Sequence, residues 1–294
     1  LLVLPTETTF AQIDREAGEP FLTRSEVIAQ RGMVATSQPL ATQVGLNILR
    51  NGGNAIDAAV AVQMVLTLVE PQSSGIGGGA FLMHFDGADV QAYDGRETAP
   101  AAVTGELFME DGEPLPFMEA VASGLSVGVP GTLRMLEQAH AEHGQLAWQE
   151  LFTPAITLAE EGFAVSQRLH TSLANDEYLR ENDLAQAFYY SADGEPLEVG
   201  TTLKNPALAA ILRRIAEEGS AAFYEGEVAE DLVEQVQSHP VRPGKISLDD
   251  ISGYQSLERE PLCTPWQQWE VCGFPPPSSG HLTIMQILGM LDQQ

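Results

Sequence analysis

The chain of 294 residues, 44% of them hydrophobic, is long enough to bury one large core and has none of the composition of a disordered protein. Its formal net charge of −27, from 41 acidic against 14 basic residues, excludes a nucleic-acid-binding surface, because a phosphate backbone repels such a protein. The acidic residues are scattered, which reads as a solvated surface, and no stretch reaches the length of a membrane span.

Residues 1–27 read as an N-terminal tail ahead of one domain over 28–294. Leu1-Leu-Val-Leu4 before Thr9-Phe10-Ala11 fits either the remnant of a secretory signal or an unstructured tail, since no basic segment precedes it. Over 40–51, Val44, Ile48 and Leu49 recur at helical spacing and Gly52-Gly53 marks the stop. Asn54 then caps a second helix, with Asp57 in its first turn near the positive end of the dipole. From 55 to 68 that helix is apolar nearly all round, which predicts a place in the middle of a layered fold.

Glu70-Pro-Gln-Ser-Ser-Gly-Ile-Gly-Gly-Gly79 has the spacing of a dinucleotide fingerprint at Gly75, Gly77 and Ala80, but no strand precedes it and no helix follows. Residues 80–85 read as a strand, Asp86-Gly87 as a tight hairpin turn, and Val90 to Tyr93 as the return strand. Gly75 to Gly79 are then expected to pack closely against neighbouring backbone. Beyond the hairpin, Arg96 lies between Asp94 and Glu97. Spacing alone favours a surface ion pair there, while a guanidinium at a strand end is also a natural fork for a carboxylate.

Residues 101–123 read as a loop-rich excursion without a legible role. A helix over 132–143 ends at Gly144. Its His140 and His143 have a metal pair's spacing but no third ligand nearby, so they are expected to be solvent-exposed histidines at a helix end, with no metal. Thr153-Pro154 and Asn205-Pro206 each read as a cap and first helical residue, with stops at Gly162 and Gly219. A helix over 227–237 buries Val228, Leu232, Val233 and Val236, and Ser247-Leu-Asp-Asp250 fits a capping box. Cys263 and Cys272, the only cysteines, face each other if the segment folds as a hairpin about Gln267-Gln268. That dipeptide is a poor two-residue turn, and a bridge between directly opposed strand residues is strained, so free thiols are the expected state. A last helix runs through Ile284, Ile287, Leu288 and Leu291.

Several long motifs, in order, resemble the large subunit of γ-glutamyltranspeptidase, also called glutathione hydrolase. They are Gly32-Met-Val-Ala-Thr-Ser-Gln-Pro-Leu40, Gly52-Gly-Asn-Ala-Ile-Asp-Ala-Ala59, Glu70 to Gly79, Asp94-Gly-Arg-Glu-Thr-Ala-Pro100, Gly124-Leu-Ser-Val-Gly-Val-Pro-Gly131, Pro154 to Gly162, Ala222-Phe-Tyr-Glu-Gly226 and Pro275-Pro-Pro-Ser-Ser-Gly280. One departure is His281, where the family pattern has a second glycine. A Ser279–His281 nucleophile is conceivable, but no acid or elbow motif supports it.

The resemblance implies an N-terminal nucleophile hydrolase: an α+β fold with a four-layer αββα sandwich, incomplete in this chain. It implies no cofactor and a precursor that cuts itself, so that threonine becomes the first residue of a small subunit. A terminal position suits threonine because its free α-amino group, with a pKa near 8, serves as the base. The adjacent threonine pairs here, Thr8-Thr9 and Thr201-Thr202, precede the Pro-Pro-Pro-Ser-Ser-Gly motif and are assigned no role. No catalytic residue is therefore expected in this chain, which alone would be inactive and would leave apolar strand edges exposed. Arg96 would grip the α-carboxylate of γ-glutamyl substrates such as glutathione, in the periplasm or outside the cell. Related readings are a cephalosporin acylase, a capsule-processing transpeptidase, or a truncated, non-catalytic binding protein.

Overall fold

The computed structural model describes residues 27–292; the signal-remnant reading of residues 1–11 and the Thr8-Thr9 pair lie outside them. Helices α1 (Pro39–Arg50) and α2 (Ala55–Val69) form an antiparallel pair, and α2 is the central element expected from its apolar circumference. Its Val60, Ala61, Met64 and Val65 have no exposed surface, and it packs on α1, α4 (Thr132–His143) and α5 (Trp148–Glu161).

The start of α2 shows how a local signal becomes a tertiary tie. The Asn54 side chain accepts the amides of Ile56 and Asp57, and Asp57 returns the bond by accepting the Asn54 amide at 2.8 Å. The same Asp57 carboxylate, fully buried, also accepts the amides of Gln145 at 3.1 Å and Leu146 at 3.3 Å. His140 Nε2 lies 3.5 Å from it and donates to the Leu146 carbonyl oxygen at 2.9 Å.

The expectation of exposed histidines is therefore corrected, with only 14% of the His140 side chain and 20% of the His143 side chain exposed. Both are drawn inward by polar partners that lie far away in sequence. Among the described residues, no group of three or more His, Cys, Asp or Glu is placed to hold a metal.

A second correction concerns Pro154. The cap-and-proline signal predicts a helix opening at Thr153, yet α5 starts at Trp148 and carries Pro154 inside it. Leu151 and Phe152 are fully buried and Trp148 donates its indole N–H to the Ile215 carbonyl, so packing extends the helix backwards despite the missing proline amide. That carbonyl belongs to α8 (Pro206–Glu218), where the same signal holds. The Asn205 side chain accepts the Leu208 amide, and Gly219, at φ 78°, ends the helix.

Strands β1 (Ala80–Phe85) and β2 (Val90–Gly95) pair antiparallel with Leu82 opposite Tyr93. Their turn has four residues rather than the tight pair expected, because the Asp86 carboxylate accepts the amides of both Ala88 and Asp89 at 2.8 Å. Short strands β3 (Met109–Glu110) and β4 (Glu113–Pro114) and helix α3 (Phe117–Val121) make up the excursion before α4.

After α5, β5 (Phe163–Ala164) pairs with β6 (Thr202–Leu203) around helices α6 (Gln167–Asn175) and α7 (Asp183–Tyr189). Helices α9 (Ala221–Tyr224), α10 (Glu227–Gln237) and α11 (Leu248–Gly253) follow α8, the last opened by the expected capping box between Ser247 and Asp250. Strand β7 (Leu257–Arg259) then joins the free edge of β2, giving a sheet of order β1-β2-β7 and an α+β fold. Tyr93, fully buried under this sheet, donates its hydroxyl to Glu142 at 2.6 Å and accepts from His143 Nε2 at 2.8 Å.

The chain ends in a hairpin of β8 (Leu262–Trp266) and β9 (Trp269–Gly273), then α12 (Gly280–Leu291). Trp266 and Cys263 lie opposite Trp269 and Cys272 as the symmetry predicts. The expectation of free thiols is corrected: the two sulfurs are bonded, with Cα atoms 4.0 Å apart. Gln267 accepts φ 52°, the left-handed conformation that a two-residue turn demands, and this brings the cysteines face to face. Exposed apolar side chains are found on strands, at Met83, Phe85 and Leu257, and also along α12, at Ile284, Ile287, Met290 and Leu291.

Candidate functional site

The glycine-dense loop enters β1 and opens no helix, as its flanks predicted. Its front half is pinned from α6, where Arg168 Nη1 lies 3.4 Å from the buried Glu70 carboxylate and Nη2 donates to Ser73 Oγ at 3.2 Å. Its back half is gripped by the first amides of α4, since the Gly78 carbonyl accepts from Gly131 at 3.0 Å and Thr132 at 3.1 Å. The close-packing expectation applies to Gly79, where a Cβ would overlap the Glu97 carboxylate. It does not extend to Gly77, which has open space around it.

This loop lies beside the end of β2, from which Arg96 projects. The Arg96 amide donates to Asp94 Oδ1 at 2.9 Å, and its carbonyl accepts the Tyr254 hydroxyl at 2.8 Å. Its side chain is 61% exposed, with Nε 3.3 Å from Glu97 Oε2. Glu97 is thus the ion-pair partner that spacing suggested, whereas Asp94 is not. Only 5% exposed, Asp94 turns its other oxygen inward to accept Arg259 Nε at 2.6 Å. A largely exposed arginine side chain, fixed through its backbone and paired among the described residues with Glu97, is open to a small carboxylate.

Glycines let the elements meet here. A Cβ on Gly95 would come 2.6 Å from the Met135 Cβ, and one on Gly131 would overlap the Tyr254 hydroxyl. Gly131→Ala is expected to cost about 1–3 kcal/mol by overpacking. The midpoint of thermal unfolding checks this, and an unchanged midpoint contradicts it.

Tyr254 also carries a pH signature. Burial, reinforced by the charges of Asp94 and Glu97, raises its pKa from 10.0 to about 12. Tyr93 and Tyr224 are raised as well, chiefly by burial. The folded state then holds protons that the unfolded chain releases above about pH 10, so this stability is complete below that pH. It is lost as pH rises through the folded pKa. Unfolding temperatures measured upward from neutral pH should fall steeply across that window; a flat profile contradicts the burial of these phenols.

Neither Asp94 nor Arg259 stood out in the sequence as a functional residue. An Asp two residues before an amide it accepts is a readable turn signal. The Arg259 pairing spans 165 positions and has no local trace. His281, conceivable as a partner of Ser279, is 6% exposed and its Nε2 has no hydrogen-bond partner among the described residues, which show no activated serine there.

Residues 41–294 match the family model described as gamma-glutamyltranspeptidase. The chain belongs to that family. It is 40% identical over 268 residues to a glutathione hydrolase proenzyme of Bacillus subtilis (strain 168), covering 90% of this chain and 45% of that protein. Among solved structures, the γ-glutamyltranspeptidase of Helicobacter pylori superposes with a TM-score of 0.87 at 30% identity, over 92% of this chain and 77% of the other. The Bacillus anthracis transpeptidase enzyme CapD does so with a TM-score of 0.73 at 34% identity, over 90% and 83%. The chain thus corresponds to a large-subunit portion of a γ-glutamyltranspeptidase and spans about half the length of the curated relatives it matches.

Proposed function

We propose that this chain is the donor-binding part of an enzyme that cleaves γ-glutamyl amides such as glutathione and passes the γ-glutamyl group to water or an amino acid. The observation that carries the proposal is the exposed Arg96 guanidinium, held at the end of β2 beside the glycine loop in a member of this family. Arg96 takes the α-carboxylate of the donor and places its γ-carbonyl for attack.

The nucleophile is a threonine at the start of a small subunit cut from the same precursor. Its hydroxyl gives a proton to its own α-amino group and attacks the γ-carbonyl; the C–N bond breaks and the departing amine takes a proton. The resulting γ-glutamyl ester is then opened by water or an acceptor amine, which restores the threonine. The word "proenzyme" in the Bacillus subtilis relative's name supports a processed precursor. In this reading the β1-β2-β7 sheet belongs to a four-layer αββα sandwich that the small subunit completes. The exposed apolar residues of β1 and α12 support that reading. A periplasmic or extracellular site is supported by the Cys263–Cys272 bridge.

The test uses the complete gene product and two donors: a γ-glutamyl amide and its γ-aminobutyryl analogue, which lacks the α-carboxylate. The γ-glutamyl donor should have a kcat/KM higher by about 100-fold, the worth of a charge-assisted pair. Equal values would overturn the proposal.

A further inference from the structure

We infer that Arg259, Asp94 and Tyr254 are positioning residues that hold Arg96 at one setting and thereby determine how tightly the γ-glutamyl donor binds; this rests on the reading of Arg96 as the carboxylate fork. Arg96 lies just beyond the last residue of β2, where strand pairing no longer fixes the chain. Two bonds replace the ladder, one on each side of the residue: its amide goes to Asp94 Oδ1 at 2.9 Å and its carbonyl receives the Tyr254 hydroxyl at 2.8 Å.

Asp94 can hold the amide only while its charge is compensated, because a carboxylate with 5% exposure is retained when it is paired. Arg259 compensates it, donating from Nε at 2.6 Å across the β2–β7 pair. This pairing also sorts the charges. Asp94, two positions from Arg96, would otherwise be a second anion competing for the guanidinium. With Arg259 on Asp94, Arg96 keeps Glu97 as its carboxylate neighbour and most of its surface open. The three residues come from β2, β7 and the segment after α11, so the fork is set by the junction of three elements and not by its own turn alone.

In this inference these groups act on the donor through Arg96, so removing one should weaken binding while leaving the chemical step nearly intact. In the complete gene product, Arg259→Gln is expected to raise KM for a γ-glutamyl amide about tenfold, and Tyr254→Phe about threefold, each with kcat within twofold. Arg259→Lys, which keeps a charge on Asp94, should recover part of the loss. In an Arg96→Gln background the further effect of either substitution should vanish, and with the γ-aminobutyryl donor neither should matter.

If Arg96→Gln itself leaves KM unchanged, the fork reading fails and this inference falls with it. If Arg96→Gln raises KM but Arg259→Gln and Tyr254→Phe do not, the positioning inference alone is overturned. Effects that simply multiply with that of Arg96→Gln, or persist with the γ-aminobutyryl donor, overturn it in the same way. Should Arg259→Gln fail to fold, Tyr254→Phe, which removes one hydroxyl, decides the matter by the same comparisons.

Discussion

Arg96→Lys is expected to raise KM for γ-glutamyl donors by about 10- to 100-fold, with kcat changed far less. Lysine keeps the charge, so the loss isolates the geometry. A guanidinium presents parallel N–H groups to both oxygens of a carboxylate, whereas an ammonium offers a compact charge on a flexible stem. The side chain is already 61% exposed, so its replacement removes little packing and should leave the unfolding temperature within about a degree or two. Steady-state kinetics on a γ-glutamyl amide measures the effect. An unchanged KM would mean that Arg96 is a surface partner of Glu97 and nothing more.

Asp57→Ala acts on the scaffold instead. It removes a fully buried carboxylate that serves the amides of Asn54, Gln145 and Leu146 and lies beside His140. The alanine leaves those donors without their buried acceptor, at an expected cost of roughly 3–5 kcal/mol. The unfolding temperature should fall by roughly 6–12 °C. Asp57→Asn, which retains one acceptor oxygen, should lose less. A fall of under a degree for the alanine variant would show that the α2 cap and the turn after α4 are not tied through this residue.

The elements that were legible in the sequence are those whose cause is local. Asn54 caps α2 because it satisfies amides two and three residues on, with Asp57 in the first turn adding the return bond that the structure shows, and Asn205-Pro206 opens α8 for the same kind of reason. Where the sequence misled, a distant contact decided. Trp148, bonded to the Ile215 carbonyl, and the fully buried Leu151 and Phe152 carry α5 past Pro154, and Tyr93 draws His143 out of solvent from 50 positions away. The cysteine bridge turned on one backbone angle at Gln267, which residue type does not foretell.

Arg96 shows the same division within the site. Its neighbours in sequence suggested an ion pair, and Glu97 supplies one, but spacing offered no means of separating Asp94 from that role. The fold separates them by bringing Arg259 to Asp94 and Tyr254 to the Arg96 carbonyl. Motif resemblance pointed to Arg96 because a family pattern carries the outcome of such long-range packing without displaying it.

The most direct test of the account is to express the complete gene and determine the intact mass and N-terminal sequence of every chain that co-purifies. The account predicts two chains, the smaller beginning with threonine, and γ-glutamyl transfer only when both are present. A single unprocessed chain that still turns over γ-glutamyl amides, or a second chain with another first residue, would contradict it.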